Sequence, residues 1–276
     1  ERGRGAYTTA RTVGISGGKV FDLDSHLNRT IDNLNAMASR HFNRESVVET
    51  TRRAMGDGLS KYYEKFGPGE VKLTVLATWQ ENDNNDDHFN VACHFAPMPR
   101  APDSPVDVEV RGRARENALI KDSEWVKERR RFEALVSPTA NEFLLQSSDG
   151  GLTEGSQSNF YALVDGKLFT AEKGVLLGTV RRLVLDVCER EGIPVVLEAP
   201  SLESLLKGEW EGAAVSSTSR LFLPVKRIVV PKENQVASEL DPSIEFEYQP
   251  GSLMAFLHDR VEQEVDAWST SVLGNK

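Results

Sequence analysis

The N-terminal half alternates between strand-like and helix-like hydrophobic spacing, which predicts a small α/β unit. β-branched and aromatic residues predict strands over residues 5–13 and 19–23. Apolar residues at helical spacing then predict an amphipathic helix over 26–40, with Asp24 or Ser25 as its N-cap. The further elements predicted for this half are a helix over 46–66 and strands over 71–79 and 89–96.

A proline-rich stretch separates the two halves of the chain. Four prolines over residues 97–105 interrupt regular patterning and favour a linker. We therefore predict two domains, residues 1–110 and residues 111–276. A chain of 276 residues with 39% apolar and 27% charged residues is long enough for two hydrophobic cores.

The second half continues with short strands and a helix. Apolar runs predict strands over residues 143–145, 159–164 and 168–170. Asp165-Gly166 lies between the last two runs and is typical of a tight hairpin turn. A helix is predicted from Val180, and Gly178 just before it leaves backbone N–H groups for an anion.

Charge and cysteine content narrow the function classes. A net charge of −9 argues against nucleic acid or an anionic membrane as the main partner. No apolar run approaches the roughly 18 residues that cross a bilayer, and two cysteines favour a reducing compartment. We expect a soluble, intracellular protein, in the cytoplasm or an organelle. The acidic run over 81–87 lacks the glycine and final glutamate of a calcium loop, so we predict a solvated turn and no metal site.

Two short motifs flank the predicted hairpin. The first is Glu154-Gly155-Ser156-Gln157-Ser158-Asn159, and the second is Gly178-Thr179-Val180-Arg181. Their order resembles the class IV aminotransferases, the fold-type IV pyridoxal-phosphate enzymes that include D-amino acid and branched-chain aminotransferases. The segment Asp122-Ser123-Glu124-Trp125-Val126 further resembles a plant-type branch of this family.

The resemblance implies a fold, a cofactor and an assembly. The fold class is α/β (α+β), with a small N-terminal α/β domain and a larger, β-rich C-terminal domain. Pyridoxal 5'-phosphate lies at their junction, and the protein is a homodimer.

The resemblance also implies roles for individual residues. Lys121 stands at the family's spacing before Glu154 and binds the cofactor covalently, while Lys127 belongs to a charged helical face. Glu154 keeps the pyridine nitrogen protonated, and Arg29 binds the phosphate through its fork of donors. The implied cofactor-binding residues are Arg29, Glu154, Ser158, Asn159, Gly178, Thr179, Val180, Ser217 and Thr218. The implied substrate-binding residues are Tyr7, Arg11 and Arg220.

Two positions depart from the family pattern. Val180 stands where the family has a threonine, so one hydroxyl contact to the phosphate is lost or supplied by Thr179. Arg220 stands where small residues are usual, and it reshapes the substrate pocket or contacts a substrate carboxylate.

Three functions fit this pattern. The first is transfer of an amino group between an amino acid and a 2-oxo acid. The second is a lyase of the aminodeoxychorismate lyase type, because residues 7–11 resemble the opening strand of that enzyme. The third is a degenerate family member that serves as a scaffold. The retention of Lys121 and Glu154 argues against this third function. A substrate screen separates the first two, since only the first needs an amino acceptor.

Overall fold

The structure is a computed structural model that describes residues 4–15, 18–80, 88–102 and 104–273. The acidic run over 81–87 lies outside the described residues. Within the described ranges, none of the helices is long and apolar enough to span a bilayer.

Helices are interspersed among runs of consecutive strands along the described chain. The strands are β1 (Ala6–Val13), β2 (Lys19–Phe21), β3 (Val71–Trp79), β4 (Phe89–Pro97), β5 (Val106–Arg113), β6 (Ala140–Gln146), β7 (Leu152–Gly155), β8 (Asn159–Val164), β9 (Lys167–Phe169), β10 (Val195–Val196), β11 (Trp210–Ser217), β12 (Leu221–Val229), β13 (Ser243–Glu245) and β14 (Ser269–Ser271). The helices are α1 (Leu23–Ala38), α2 (Arg44–Phe66), α3 (Trp125–Glu128), α4 (Arg130–Glu133), α5 (Thr179–Glu191), α6 (Leu202–Leu206) and α7 (Leu253–Glu264).

The chain folds into two compact units that are discontinuous in sequence. The first unit comprises Glu1–Arg100, Ile120–Lys127 and Glu264–Lys276. The second unit comprises Ala101–Leu119 and Glu128–Gln263. The domain boundary near residue 110 stays a prediction.

The first unit is a mixed layer of sheet and helices. Its described strands form a five-stranded sheet in the order β14-β2-β1-β3-β4, with α1 packed on β1 and α2 on β4. Alternate residues of β1 and β3 are buried, as expected for strands with one face against helices. The core between these layers includes Ala10, Leu27, Met55, Leu59 and Leu73.

The predicted start of α1 is wrong. The helix begins at Leu23, and its N-cap is Asp22 in the left-handed conformation at φ 47°, rather than Asp24 or Ser25. The backbone N–H of Asp22 donates to the carbonyl of Trp268, at 2.8 Å. A partner almost 250 positions away along the chain therefore helps to place this helix start, which local sequence signals do not show.

The second unit contains a closed ring of strands. Its nine described strands include six that pair in the circular order β5-β6-β7-β8-β11-β12 and back to β5. β5 is parallel to both β12 and β6, and the other pairs in the ring are antiparallel. Val108, Leu144, Phe160, Val215 and Leu223 belong to the apolar core of this six-stranded barrel.

The predicted hairpin is present on the barrel. Leu163 pairs with Leu168, and Val164 pairs with Lys167, so two residues form the turn between β8 and β9. Both turn residues have positive φ, 50° at Asp165 and 68° at Gly166, as this tight turn requires.

Candidate active site

Glu154 lies where the barrel closes. β7 and β8 pair through Glu154 and Asn159, and both residues are buried. One carboxylate oxygen of Glu154 accepts a hydrogen bond from Arg115 Nε at 2.8 Å, and the other accepts from the backbone N–H of Leu176 at 2.9 Å. The carboxylate is therefore oriented by two donors that come from different segments. Arg115 is not predicted from the sequence, because nothing in its local pattern distinguishes it from neighbouring arginines.

Asn159 connects the barrel to the segment before α5. Its amide nitrogen donates to the carbonyl of Leu176 at 2.6 Å, and its amide oxygen accepts from the N–H of Gly178 at 3.1 Å. A Cβ atom on residue 178 would collide with the Asn159 amide oxygen. Because φ of Gly178 is an ordinary −67°, close approach rather than backbone conformation requires glycine here.

The N-terminus of α5 has features of an anion site. Gly178 is the N-cap and has no side chain with which to cap the helix. The hydroxyl of Thr179 lies 3.2 Å from that of Thr218, so the helix start and the loop after β11 present two threonines together. The side chain of Val180 is buried and turns away from solvent.

The two serines predicted to bind the cofactor are hydrogen-bonded to protein groups. Ser158 Oγ donates to Glu142 Oε2 at 2.8 Å, and Ser217 Oγ accepts from Arg220 Nε at 3.2 Å. Arg220 also donates from Nη2 to Glu142 Oε2 at 2.5 Å. Its predicted substrate contact stays a prediction, but these protein acceptors engage its guanidinium. Glu142 is not predicted from the sequence.

Lys121 is attached to β1 in the first unit. The N–H of Tyr7 donates to the carbonyl of Lys121 at 2.9 Å, and Ala6 and Asp122 form an antiparallel bridge. Lys121 and Tyr7 therefore lie opposite each other, with Lys121 Nζ 4.8 Å from the centre of the Tyr7 ring. The ring face attracts the ammonium group and limits the positions that it samples.

Arg29 follows a buried histidine on α1. His26 is fully buried, and its Nδ1 lies 2.7 Å from the hydroxyl of Thr8 on β1. Burial lowers the pKa of His26 well below its ordinary value, and the positive charges of Arg29 and Lys121 lower this pKa further. His26 is therefore neutral at pH 7. Arg29 itself is half-buried.

Arg11 points from the less buried face of β1, as does Tyr7. Its Nη2 donates to Glu70 Oε2 at 2.6 Å, so its charge is balanced by this carboxylate. Its buried Nε has no hydrogen-bond partner among the described residues. The substrate-binding roles of Tyr7 and Arg11 stay predictions.

Acid is expected to destabilise the protein through His26. The unfolded chain protonates this imidazole near its ordinary pKa of 6.5, whereas the folded pKa lies well below that value. The unfolded state therefore binds more protons as pH falls, and the free energy of unfolding decreases by up to about 1.4 kcal/mol per pH unit. Urea unfolding of wild type and His26→Gln across the range below the ordinary pKa measures this difference in slope.

His94 provides a matched control for this measurement. It is an exposed histidine on β4 of the same unit, so His94→Gln controls for replacing a histidine without removing a buried imidazole. An equal slope in wild type and His26→Gln would contradict a neutral His26 in the folded state.

The family of the chain follows from comparison with known proteins. The family model for amino-transferase class IV matches residues 5–228. The chain therefore belongs to the class IV aminotransferase family, and the predicted membership is confirmed. The curated D-alanine aminotransferase of Staphylococcus haemolyticus is 29% identical over 122 residues, which are 40% of this chain and 43% of that protein. The match thus spans less than half the length of this relative.

Solved structures share the fold. A branched-chain aminotransferase from Thermoproteus uzoniensis with norvaline has a TM-score of 0.72 at 16% identity, covering 97% of this chain and 90% of that one. A fold IV-transaminase from Curtobacterium pusillum has a TM-score of 0.72 at 20% identity, covering 95% and 84%. A hypothetical aminotransferase from Mycobacterium tuberculosis, in a form with alpha-ketoglutarate and PMP bound, has a TM-score of 0.70 at 16% identity, covering 95% and 89%. The predicted α/β (α+β), fold-type IV class is confirmed.

Proposed function

We propose that the chain is a pyridoxal-phosphate-dependent aminotransferase that moves an amino group between an amino acid and a 2-oxo acid. The observation that carries this proposal is the buried carboxylate of Glu154, oriented by Arg115 and by the N–H of Leu176. A pyridine nitrogen needs a fixed carboxylate beside it to remain protonated. The resemblance of residues 154–159 to the family motif supports Glu154 in this role.

The α5 N-terminus fits the phosphate of this cofactor. A phosphate dianion is favoured where backbone N–H groups and the positive end of a helix are not capped by a side chain. Thr179 and Thr218 add two hydroxyl groups 3.2 Å apart. Val180 is buried and so contributes its backbone alone. The phosphate-binding role of Arg29 stays a prediction from the family resemblance. Thr179 is the hydroxyl that compensates for the threonine missing at position 180.

Lys121 supplies the reactive amine. Its backbone is hydrogen-bonded to β1 and its Nζ lies over the Tyr7 ring, which gives the amine a defined position. The side chain binds the cofactor covalently and moves protons to and from the Cα atom of the substrate. When bound, pyridoxal phosphate withdraws electrons from that carbon atom.

The substrates and the assembly are part of the same proposal. Related proteins described as branched-chain and D-alanine aminotransferases support an amino acid donor and a 2-oxo acid acceptor. A homodimer is expected from the family resemblance, and light scattering after size-exclusion chromatography measures it.

Exchange between amino donors and 2-oxo acid acceptors tests the function. Protein loaded with pyridoxal phosphate is incubated with single L- and D-amino acids, and conversion of the cofactor to its amine form is followed by absorbance. We expect at least one amino acid to convert it and a 2-oxo acid to reverse the change. Repeated turnover that releases pyruvate from an amino derivative of chorismate, with no acceptor present, would favour the lyase. Absence of cofactor binding would favour the scaffold.

A further inference from the structure

Glu142 is a buried carboxylate with an unusually complete set of donors. It stands near the start of β6, and its side chain has no exposed surface. One oxygen accepts from Ser156 Oγ at 3.1 Å and from the N–H of Gln157 at 2.5 Å. The other accepts from Ser158 Oγ at 2.8 Å and from Arg220 Nη2 at 2.5 Å. Glu142 therefore holds the whole turn between β7 and β8.

Arg220 extends this network to the loop after β11. Its Nε donates to Ser217 Oγ at 3.2 Å, and its Nη1 donates to the side-chain oxygen of Asn141. Its side chain is 14% exposed. All three nitrogens of the guanidinium thus donate to groups of the second unit, and the same guanidinium binds both Ser217 and Glu142.

Glycine at position 155 is part of the same arrangement. A Cβ atom there would lie 2.6 Å from Glu142 Oε1 and would also overlap Ser158 Oγ. The close approach of Glu142 to the β7–β8 turn therefore depends on this glycine.

Stability is a poor explanation for this ion pair. Burying both charges costs desolvation energy, and the attraction within a close pair does little more than offset this cost. Apolar replacements of such pairs are often neutral or stabilising. What the pair does provide is a rigid connection between the turn over 156–158 and the loop over 217–220. These segments contain residues of the proposed cofactor site, namely Ser158, Ser217 and Thr218.

We propose that Glu142 and Arg220 are positioning residues that hold the Ser217–Thr218 loop in the geometry that binds the cofactor phosphate. This inference rests on the proposed function. Arg220 fixes Ser217, and Thr218 follows directly, with its hydroxyl 3.2 Å from Thr179 at the start of α5. Ser158 donates its hydroxyl proton to Glu142, whereas Ser217 accepts from Arg220 and keeps its own proton for the phosphate, beside the paired hydroxyls of Thr179 and Thr218.

This role differs from a substrate contact by Arg220. A positioning residue changes affinity for the phosphate group, whereas a substrate contact changes KM for the amino acid and leaves cofactor affinity unaltered. Pyridoxal lacks the phosphate but keeps the ring and the aldehyde. The ratio of the two cofactor affinities therefore isolates the proposed effect.

The test compares these affinities in five proteins. Apo-protein is titrated with pyridoxal phosphate and, separately, with pyridoxal, for wild type, Arg220→Met, Glu142→Gln, the double variant and Arg227→Met. Arg227 is the matched control. It lies on β12 of the same unit and forms an ion pair with Asp107 on β5, at 2.5 Å. We expect the first three variants to weaken pyridoxal phosphate binding on the order of ten- to a hundredfold, as loss of supporting residues does at metal sites. Pyridoxal affinity stays at the wild-type value.

The double variant completes the design. It is expected to resemble Arg220→Met rather than to add a second loss, because both changes remove one connection. If a single variant does not fold, the double variant decides, since it leaves no unpaired charge from this ion pair. Equal loss for both cofactors, no loss, or the same loss in Arg227→Met would overturn the positioning role. A wild type that binds neither cofactor would instead refute the proposed function.

Discussion

Replacing Lys121 with alanine is expected to abolish covalent attachment of pyridoxal phosphate and to lower amino-group transfer by at least about 10²–10⁴-fold, the range for loss of a general acid–base group. The variant removes the amine that the family resemblance predicts for the attachment and that lies over the Tyr7 ring. Borohydride treatment followed by peptide mass spectrometry locates the attachment. Rate measurements with a reactive amino acid give the loss of turnover.

Lys127 is the control for this prediction. Its side chain is 67% exposed and pairs with Glu124 at 3.0 Å, as expected of a lysine on a solvated face. Lys127→Ala is expected to keep both the attachment and the turnover. Attachment at any residue other than Lys121 in the wild-type protein would refute the assignment.

Replacing Glu154 with glutamine is expected to reduce turnover by about 10²–10³-fold, the range for one preorganised electrostatic group. The substitution keeps the shape of the side chain and an acceptor for Arg115, but it removes the charge that a protonated pyridine nitrogen requires. Turnover under saturating cofactor and substrate measures the effect, so that a change in affinity is not mistaken for a change in rate.

Arg115→Met separates the catalytic role of Glu154 from its structural one. The variant keeps the carboxylate but leaves it without the guanidinium 2.7 Å away, in surroundings where the two side chains are 13% and 4% exposed. Breaking such a pair is expected to lower the free energy of unfolding by about 3–5 kcal/mol. Turnover of the folded, loaded variant is expected to exceed that of Glu154→Gln. The reverse order of turnover would contradict the proposed role of Glu154.

Features that depend on local backbone preferences can be predicted from the sequence. Asp165 and Gly166 tolerate the positive φ of a hairpin turn, and the turn forms where the sequence predicts it. Gly192 likewise ends α5 in the left-handed conformation, at φ 69°. The order of the Glu154 and Gly178 motifs also sufficed to predict the family, because a motif order needs no knowledge of contacts.

The local sequence pattern does not predict the strand β7. Leu152–Gly155 is fully buried, yet its threonine, glutamate and glycine carry no hydrophobic alternation. It becomes a strand because β6 and β8 pair with its two edges and close the barrel. Tertiary pairing overrides weak local preference in such a segment.

The sequence by itself determined the family and the hairpin, and it predicted the residues that are proposed to carry the chemistry. Only the tertiary structure decided which partners orient them. Arg115 meets Glu154 across 39 positions, and Arg220 meets Glu142 across 78. A buried carboxylate needs hydrogen-bond donors, because desolvation of an unpaired charge is costly. The sequence contains many arginines and serines that could donate, and it does not show which of them do. Closure of the barrel selects among them, since it alone brings these segments within hydrogen-bonding distance.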